Sequence, residues 1–553
     1  MSKAKILEKV LVALAALAGT QLSLEAEDVC GRFPQGSMIT QPEDLYSKDG
    51  VLEVDFTYQS REDDFGKILY CFTNSDGAQS PTLHVNPGDV LIINLTNLVP
   101  DDGKMPDMPG MEVAKAGEGG CGDLNMTSAS VNMHYHGTNT PPVCHEDEVI
   151  HTIINTGQTF RYELHFPKNE PPGLYWYHPH IHGIATAAVQ GGASGAIIVE
   201  GIENVNPEVA GLPQELIIVR DHQPVNPPPH HRSKTHRPSD DDGAPDLSVN
   251  YVPIGGPAYI PAEYTMKPGE KQFWRVLNAA AVTILDLQLL YNGERQPLQL
   301  IALDGVSLGS QDGSGKGTSL TRKRILIPPA GRAEFIVKGP QEGVTEARLI
   351  TSNVDTGPAG DPNPTRPLFD IKLSANADPG VHGKLLPKVS GPPPAPRFAN
   401  LGEAAMTATR KLYFSEDDSF FYITVAGQTP KPFSMSDPPS IVTTQGAVED
   451  WIVENRSQEN HEFHMHQIHF LLMERDGKTV PASDRQIIDT VDIPYWTGTG
   501  PYPSIKVRMD FRGPTVGDFV YHCHILDHED GGMMAIIRVL PPGSGNSPGV
   551  SKK

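Results

Sequence analysis

Residues 87–97 read PGDVLIINLTN, a turn that leads into a strand-like run of β-branched and aliphatic residues and ends in asparagine. The pattern recurs as PGEKQFWRVLN at residues 268–278 and as QGAVEDWIVEN at residues 445–455. The turn glycines of the three copies stand 181 and 177 residues apart, so one supersecondary unit repeats at the size of a domain. The repeat therefore predicts three similar β-domains.

The composition agrees with an all-β fold class. The chain of 553 residues is too long for one hydrophobic core, and it contains 53 glycines and 51 prolines but no recurring long amphipathic helical pattern. Such a chain is typical of many short strands joined by turns.

Local composition predicts the domain boundaries. Residues 200–202 follow the strand-like run GAIIVE and close the first domain, while the stretch around GPPPAP at residue 391 is a Pro-rich linker. We expect domains at 27–200, 201–375 and 403–545, with the linker at 376–402. Residues 227–242 interrupt the second domain as a solvated loop, and its His230, His231 and His236 are more simply explained as surface residues than as metal ligands.

The N-terminus resembles an export signal. Three lysines precede an apolar run from Val10 to Ala18 that is too short to span a bilayer. We expect residues 1–26 to be removed and the protein to be periplasmic or secreted, without a membrane anchor; a short N-terminal helix is the alternative. The formal charge of −23 excludes nucleic acid and anionic membrane surfaces as partners.

Four of the five cysteines form an even set: Cys30, Cys71, Cys121 and Cys144. An oxidising compartment would pair them into two disulfides, with three pairings open, whereas a cytosolic protein would keep them as buried thiols. Cys523 lies between two histidines, in a context typical of a metal ligand, and is not counted in this set.

Four histidine clusters contain most of the chemistry of the chain. They read HYHG at residues 134–137, HPH at 178–180, HEFHMH at 461–466 and HCHILDHEDGGM at 522–533. One His-x-His pair is more often a hydrogen-bonded pair on a strand than a metal site. Four pairs supply eight imidazoles, which suit transition metals and not magnesium or calcium.

Cys523 distinguishes copper from zinc. With His461, His528 and Met533 it makes a His₂Cys set with a weak axial thioether, the ligand set of a blue copper site. A structural zinc site more often takes two or more cysteines. Because side chains alternate along a strand, Cys523 points to one face and its neighbours His522 and His524 to the other, which joins the copper site to a second metal group.

The four clusters resemble the copper-binding motifs of the multicopper oxidase family, which includes laccases and copper-tolerance oxidases. The resemblance covers nearly the whole mature chain and implies three cupredoxin-like Greek-key β-sandwich or barrel domains, the middle one without copper. It also implies four copper ions. Type 1 copper would be held by His461, Cys523, His528 and Met533, type 2 copper by His134 and His464, and the type 3 pair by His136, His178, His180, His466, His522 and His524.

The resemblance further implies how electrons and protons enter. His528 would receive electrons from the substrate, and Glu529 would supply protons, with a solvated acidic turn as the alternative. A second family acid follows the first His-x-His motif, where Glu146, Asp147 and Glu148 are all candidates. His145, His151, His182 and His469 fall outside the family pattern and are expected to make hydrogen bonds around the ligands.

Three functions remain open from the sequence. The first is a laccase-like oxidase of phenols or aromatic amines that reduces dioxygen to water. The second is a metallo-oxidase that oxidises Cu(I) in copper tolerance, for which Met105, Met108 and Met111 offer thioethers, although methionines are more often packing residues. The third is a non-catalytic copper or electron-transfer protein, which leaves the cluster histidines unexplained. One chain supplies every implied ligand, so we expect a monomer.

Overall fold

A computed structural model describes residues 29–101, 120–122, 125–222, 243–311, 313–374 and 384–544. The export signal predicted at residues 1–26 lies outside these residues. So do Met105, Met108, Met111, His230, His231, His236 and the first part of the linker. Within the described residues, no helix combines the length and the apolar character that crossing a bilayer requires.

The first unit, residues 29–200, is built from two sheets. Its strands and one helix are β1 (Asp44–Tyr46), β2 (Val51–Glu62), β3 (Ile68–Thr73), β4 (Thr82–Val85), β5 (Val90–Asn97), β6 (Gly120–Cys121), β7 (His134–His136), β8 (Thr152–Ile153), β9 (Thr159–His165), β10 (Gly173–His178), α1 (Ala185–Gln190) and β11 (Gly195–Val199). The sheet β3-β2-β5-β9 and the sheet β1-β4-β11-β10-β7 enclose a common core, and β6 pairs with β8.

The middle unit, residues 201–374, repeats this design. It contains α2 (Ile202–Val205), a 3₁₀ turn (Pro207–Val209), β12 (Gln214–His222), β13 (Asp246–Val249), β14 (Val252–Ile254), β15 (Ala262–Met266), β16 (Lys271–Asn278), β17 (Leu285–Tyr291), β18 (Glu294–Arg295), β19 (Leu298–Leu303), β20 (Val306–Ser307), β21 (Leu320–Arg322), β22 (Ile325–Ile327), β23 (Arg332–Lys338), β24 (Ala347–Thr351) and β25 (Arg366–Leu373). One sheet has the order β14-β13-β12-β16-β23-β19-β20 and the other β15-β25-β24-β17-β18.

The third unit, residues 384–544, again has two sheets. It contains 3₁₀ turns (Leu401–Glu403 and Ala482–Asp484), β26 (Ala408–Glu416), β27 (Phe421–Val425), β28 (Ile441–Thr444), β29 (Val448–Asn455), β30 (His461–Met465), β31 (Phe470–Arg475), β32 (Lys478–Thr479), β33 (Ile487–Ile488), β34 (Thr490–Ile493), β35 (Ser504–Asp510), β36 (Gly517–Cys523), α3 (Leu526–Asp530) and β37 (Met534–Leu540). The sheets have the orders β27-β26-β29-β35-β31-β32 and β28-β37-β36-β30-β34.

The repeated sequence pattern forms the same strand in each unit. Strands β5, β16 and β29 each pair in parallel with an earlier strand and antiparallel with a later one. The turn glycines Gly88, Gly269 and Gly446 all have positive φ, which glycine adopts without steric cost.

The asparagine that ends each repeat has the same structural role in all three units. Asn97, Asn278 and Asn455 are fully buried. Each side-chain amide donates to two or more backbone carbonyls of its unit, and each side-chain oxygen accepts the backbone N–H two residues later. One side chain therefore satisfies backbone groups where the strand leaves the sheet.

The all-β prediction is confirmed, because strands make up 44% of the chain and helices 5%. The domain boundaries proposed from composition stay a prediction. The disulfides pair Cys30 with Cys71 and Cys121 with Cys144, one of the three arrangements that the sequence left open. Cys523 is a buried free cysteine.

Candidate metal centre

Eight buried histidines meet between the first and third units. In the first unit, β7 lies antiparallel to β10 with His134 opposite His178. In the third unit, β30 lies antiparallel to β36 with His464 opposite His522. The other four, His136, His180, His466 and His524, stand at the ends of these strands or within two residues of them. Each half of the cluster is therefore fixed by strand register.

The two halves contact each other directly. The rings of His134 and His466 stack with centroids 3.8 Å apart, and those of His136 and His464 stack at 4.0 Å. The possible ligand atoms lie within 4.8 Å of one another in three groups of three. These groups are His134, His136 and His464; His136, His178 and His524; and His180, His466 and His522.

Hydrogen bonds decide which ring nitrogen faces the centre. Nδ1 of His134 donates to Asp147 Oδ1 (2.9 Å), and Nδ1 of His464 donates to the carbonyl of residue 489 (2.8 Å). The Nε2 atom of each ring is buried and has no hydrogen-bond partner in the structure, as is also true of Nε2 in His178. Buried polar atoms are rarely left unpaired, so these nitrogens fit a metal.

Burial also sets the protonation state of the cluster. Removal from water, reinforced by neighbouring imidazoles, holds the pKa of His134, His464 and His524 well below the usual value of histidine. The rings are therefore neutral, which is the state in which imidazole binds a metal. The donor set fits transition-metal ions.

A second site lies on the other face of β36. Nδ1 of His461 and Nδ1 of His528 are 3.0 Å apart, and each is 3.7 Å from Cys523 Sγ. Met533 is fully buried in the same hydrophobic cluster as Cys523. The backbone N–H of Glu462 also donates to Cys523 Sγ (3.3 Å). The four residues have the composition of a blue copper site.

Burial sets the protonation state of the Cys523 thiol. Burial raises the pKa of this thiol well above its usual value, so without a metal the proton is retained. A metal ion bound in place of the proton would supply the positive charge that the thiolate requires.

The three candidate acids after the first His-x-His motif make different contacts in the structure. Asp147 is buried and contacts His134, while its Oδ2 accepts a hydrogen bond from Gln467 Nε2 (2.6 Å). Glu146 instead approaches His165 (3.6 Å), and Glu148 binds Thr152 (2.7 Å). Only Asp147, among these three, touches the histidine cluster.

Glu529 is fully buried, so the alternative of a solvated acidic turn is wrong for this residue. Its two carboxyl oxygens lie 3.9 Å from His180 Nδ1 and 3.8 Å from His522 Nδ1. The nitrogens on the far side of these rings converge at 3.2 Å. Glu529 therefore stands directly behind two of the clustered histidines.

The histidines that the sequence left outside the ligand set make other contacts. Nδ1 of His145 donates to the carbonyl of Arg161 (2.7 Å), and His469 donates to the carbonyl of Asp304 (2.8 Å). His151 contacts Glu148, and His182 packs edge-on against Phe433. None of the four belongs to the three-histidine groups described above.

Sequence reasoning missed a buried ion pair beside the cluster. Arg332 of the middle unit binds Asp489 of the third unit through both guanidinium ends, at 2.8 and 2.7 Å, and Asp489 Oδ1 lies 3.2 Å from His136 Nε2. Neither residue belongs to the repeat or to the histidine clusters identified in the sequence. The contact exists only because distant segments pack together, so the sequence alone carried no signal for it.

Family models place both histidine-rich regions in one family. Residues 123–204 and residues 404–543 each match a model described as multicopper oxidase. A multicopper oxidase of Staphylococcus aureus is 25% identical over 488 residues, which cover 86% of this chain and 92% of that protein. A laccase of Bacillus subtilis is 23% identical over 434 residues, covering 70% and 74%.

Solved structures share the fold. A variant of the McoA multicopper oxidase of Aquifex aeolicus superposes with a TM-score of 0.65 at 20% identity and covers 92% of this chain and 100% of that one. A multicopper oxidase of Campylobacter jejuni, described as a metallo-oxidase, gives a TM-score of 0.63 at 21% identity, with coverage of 92% and 96%.

Replacement of Cys523 by serine tests the second site. We expect the copper-loaded protein to be blue through thiolate-to-copper charge transfer, and Cys523→Ser to be colourless and inactive while it keeps copper at the histidine cluster. The reason is that the other four cysteines are in disulfides and cannot supply a thiolate. Visible absorption and copper content measure this. A blue band that persists in the variant would show that the site is wrongly assigned.

Proposed function

Because the chain belongs to the multicopper oxidase family, we propose that it is a laccase-like enzyme that oxidises phenols or aromatic amines. The family implies a copper-dependent oxidoreductase with dioxygen as the electron acceptor. Four one-electron oxidations of substrate supply the four electrons that, with four protons, convert one dioxygen into two waters. The substrate is thus a small reducing molecule.

The observation that carries this proposal is the position of Cys523 between His522 and His524. Cys523 belongs to the site on one face of the strand, whereas the two histidines belong to the cluster on the other. A few covalent bonds therefore connect the two sets of ligands. An electron-transfer protein with a single copper site has no use for such a connection.

We assign four copper ions to the two sites. Bound copper supplies one-electron storage and transfer. His461, Cys523, His528 and Met533 would hold the type 1 ion, and His134 and His464 the type 2 ion. The type 3 pair would be held by one set of His136, His178 and His524 and by a second set of His180, His466 and His522, each of which is a group of converging ligand atoms.

His528 is the proposed point of electron entry. It is 5% exposed, whereas His461, Cys523 and Met533 are fully buried. Its ring stacks on Phe421 with centroids 4.4 Å apart, which holds its orientation. Among the type 1 ligands, His528 is therefore the one that a substrate can approach from solvent.

Glu529 and Asp147 are the proposed proton carriers. Each carboxyl group is buried and lies behind a histidine of the cluster. A carboxyl group in this position can pass a proton toward the cluster without opening it to water. The two acids stand on different units, Glu529 on α3 and Asp147 in the loop after β7, and so approach the cluster separately.

Variants of the histidine cluster should lose dioxygen reduction but keep the blue colour of the type 1 site. His180→Ala and His466→Ala should remain blue but lose dioxygen reduction, because both residues belong to the cluster and not to the site of electron entry. His182→Ala is the control, since His182 is also a buried histidine but contacts Phe433. Absorption and oxygen consumption with a one-electron donor measure both properties.

One outcome would contradict this division of the ligands, and another would contradict the proposed catalysis. A variant that loses its colour but keeps turnover would reverse the assignment of the two sites. If the copper-loaded wild-type protein consumes no oxygen, the non-catalytic alternative is correct.

A metallo-oxidase is the second candidate, and one observation favours it. Glu459 Oε2 lies 3.5 Å from His528 Nε2, and the whole chain has a net charge of −23. A carboxylate at the point of electron entry attracts a metal cation. The Campylobacter relative is itself described as a metallo-oxidase.

Competing substrates in one preparation distinguish the two candidates. We expect kcat/KM to be higher for a phenol than for Cu(I), and Glu459→Gln to change the value for the neutral phenol less than about threefold, since removal of a charge beside the entry point acts mainly on charged partners. Asp527→Asn is the control, because Asp527 is the exposed residue of α3. A kcat/KM that favours Cu(I) and falls in Glu459→Gln but not in the control would establish the metallo-oxidase instead.

We also propose that the enzyme works as a monomer. His134, His136, His178 and His180 lie in the first unit, and the remaining eight ligand positions lie in the third unit. A single chain therefore encloses the complete cluster, and no ligand has to come from a second copy.

A further inference from the structure

The middle unit supplies none of the proposed copper ligands, yet one of its side chains reaches the histidine cluster. Arg332 begins β23 and is fully buried. Its two terminal nitrogens donate to the two carboxyl oxygens of Asp489 in the third unit, and its Nε donates to the carbonyl of Leu174 in the first unit (3.1 Å). All three units thus meet at one guanidinium group.

Asp489 in turn contacts histidines from two units. Its Oδ1 is 3.2 Å from Nε2 of His136 in the first unit, and its backbone carbonyl accepts a hydrogen bond from Nδ1 of His464 in the third (2.8 Å). His136 and His464 are the pair whose rings stack across the boundary between the units. One residue therefore orients both rings.

Other groups hold the ion pair in place. Asp304 Oδ1 accepts the backbone N–H of Arg332 (2.8 Å), and Asp304 Oδ2 accepts that of Asp489 (3.1 Å). Gly137 follows His136 with a φ of 85°, and a Cβ there would collide with the Arg332 guanidinium and the Asp489 carboxylate. The chain leaves room for this contact at the residue next to a histidine of the cluster.

We propose that the Arg332–Asp489 pair positions His136 for type 3 copper, and that the middle unit thereby controls the geometry of the trinuclear site. A carboxylate paired with arginine only accepts hydrogen bonds, so it selects the form of His136 in which Nε2 carries the proton. Nδ1 then presents its lone pair, and this atom is buried without a hydrogen-bond partner in the structure. The inference rests on the copper assignment proposed above.

The alternative is that the Arg332–Asp489 pair only holds the units together. Its loss would then affect stability but not copper binding. Buried ion pairs often contribute little net stability, although removal of one partner is costly. Arg275 and Glu334 provide the comparison, because they form another buried pair in the middle unit, and Glu334 also accepts the backbone N–H of Leu174 in the first unit (3.1 Å). This second pair does not involve any histidine of the cluster.

Asp489→Asn is the test, with Glu334→Gln as the matched control. Asparagine can turn its amide N–H groups toward Nε2 of His136 and favour the opposite ring form. We expect copper binding at one type 3 position to weaken about 10- to 100-fold, as is typical when a group behind a ligand is lost. Arg332→Lys, which keeps the charge but loses the two-pronged contact, should act in the same direction and replaces Asp489→Asn if that variant does not fold.

The readouts are copper content and electron paramagnetic resonance (EPR), with the blue band as a separate measure of the type 1 site. In wild-type protein two coupled Cu(II) ions should be EPR-silent. In Asp489→Asn we expect less copper per chain or additional EPR-detectable copper, with the blue band unchanged. Glu334→Gln should keep the wild-type signals even if its melting temperature falls.

The outcomes separate the two proposals. If wild-type protein lacks a coupled pair, the copper assignment fails. If wild-type protein has the pair and the tested variant keeps it with full copper content, as Glu334→Gln does, the Arg332–Asp489 contact is only structural and the inference is wrong.

Discussion

The antiparallel register between β30 and β36 is the constraint on which both sites depend. Phe463 lies opposite Cys523 and His464 opposite His522, so the thiol and the imidazoles point to opposite faces of one sheet. A slip of one residue would exchange the faces of every side chain in the strand. The same register therefore determines the composition of each site and the short covalent connection between them.

Burial determines what the clustered histidines can do. The eight rings lie in an environment where protonation is disfavoured by removal from water and by the neighbouring rings, so their lone pairs remain available. One ring nitrogen of His134, His136 and His464 is occupied by Asp147 or by residue 489. These contacts fix the rings before any ligand binds, which lowers the cost of assembling the site.

The sequence predicted what depends on local spacing. The repeat in residues 87–97 predicted similar β-units because its turn glycine, its strand and its terminal asparagine all lie within one short segment. The spacing of the histidines indicated the family because each motif is likewise short and continuous. The disulfide pairing and the selection of Asp147 over Glu146 and Glu148 depend on packing, and spacing could not provide them. The contact of Arg332 with Asp489 joins positions 157 residues apart and had no local signal.

Sedimentation of the active enzyme at nanomolar concentration, combined with oxygen consumption at the same dilution, tests most directly whether one chain encloses the whole cluster. We expect a monomer whose activity per chain does not change on dilution, since the first and third units supply every proposed ligand. A trimer that loses activity when it dissociates would contradict it, because the cluster would then require residues from a neighbouring chain.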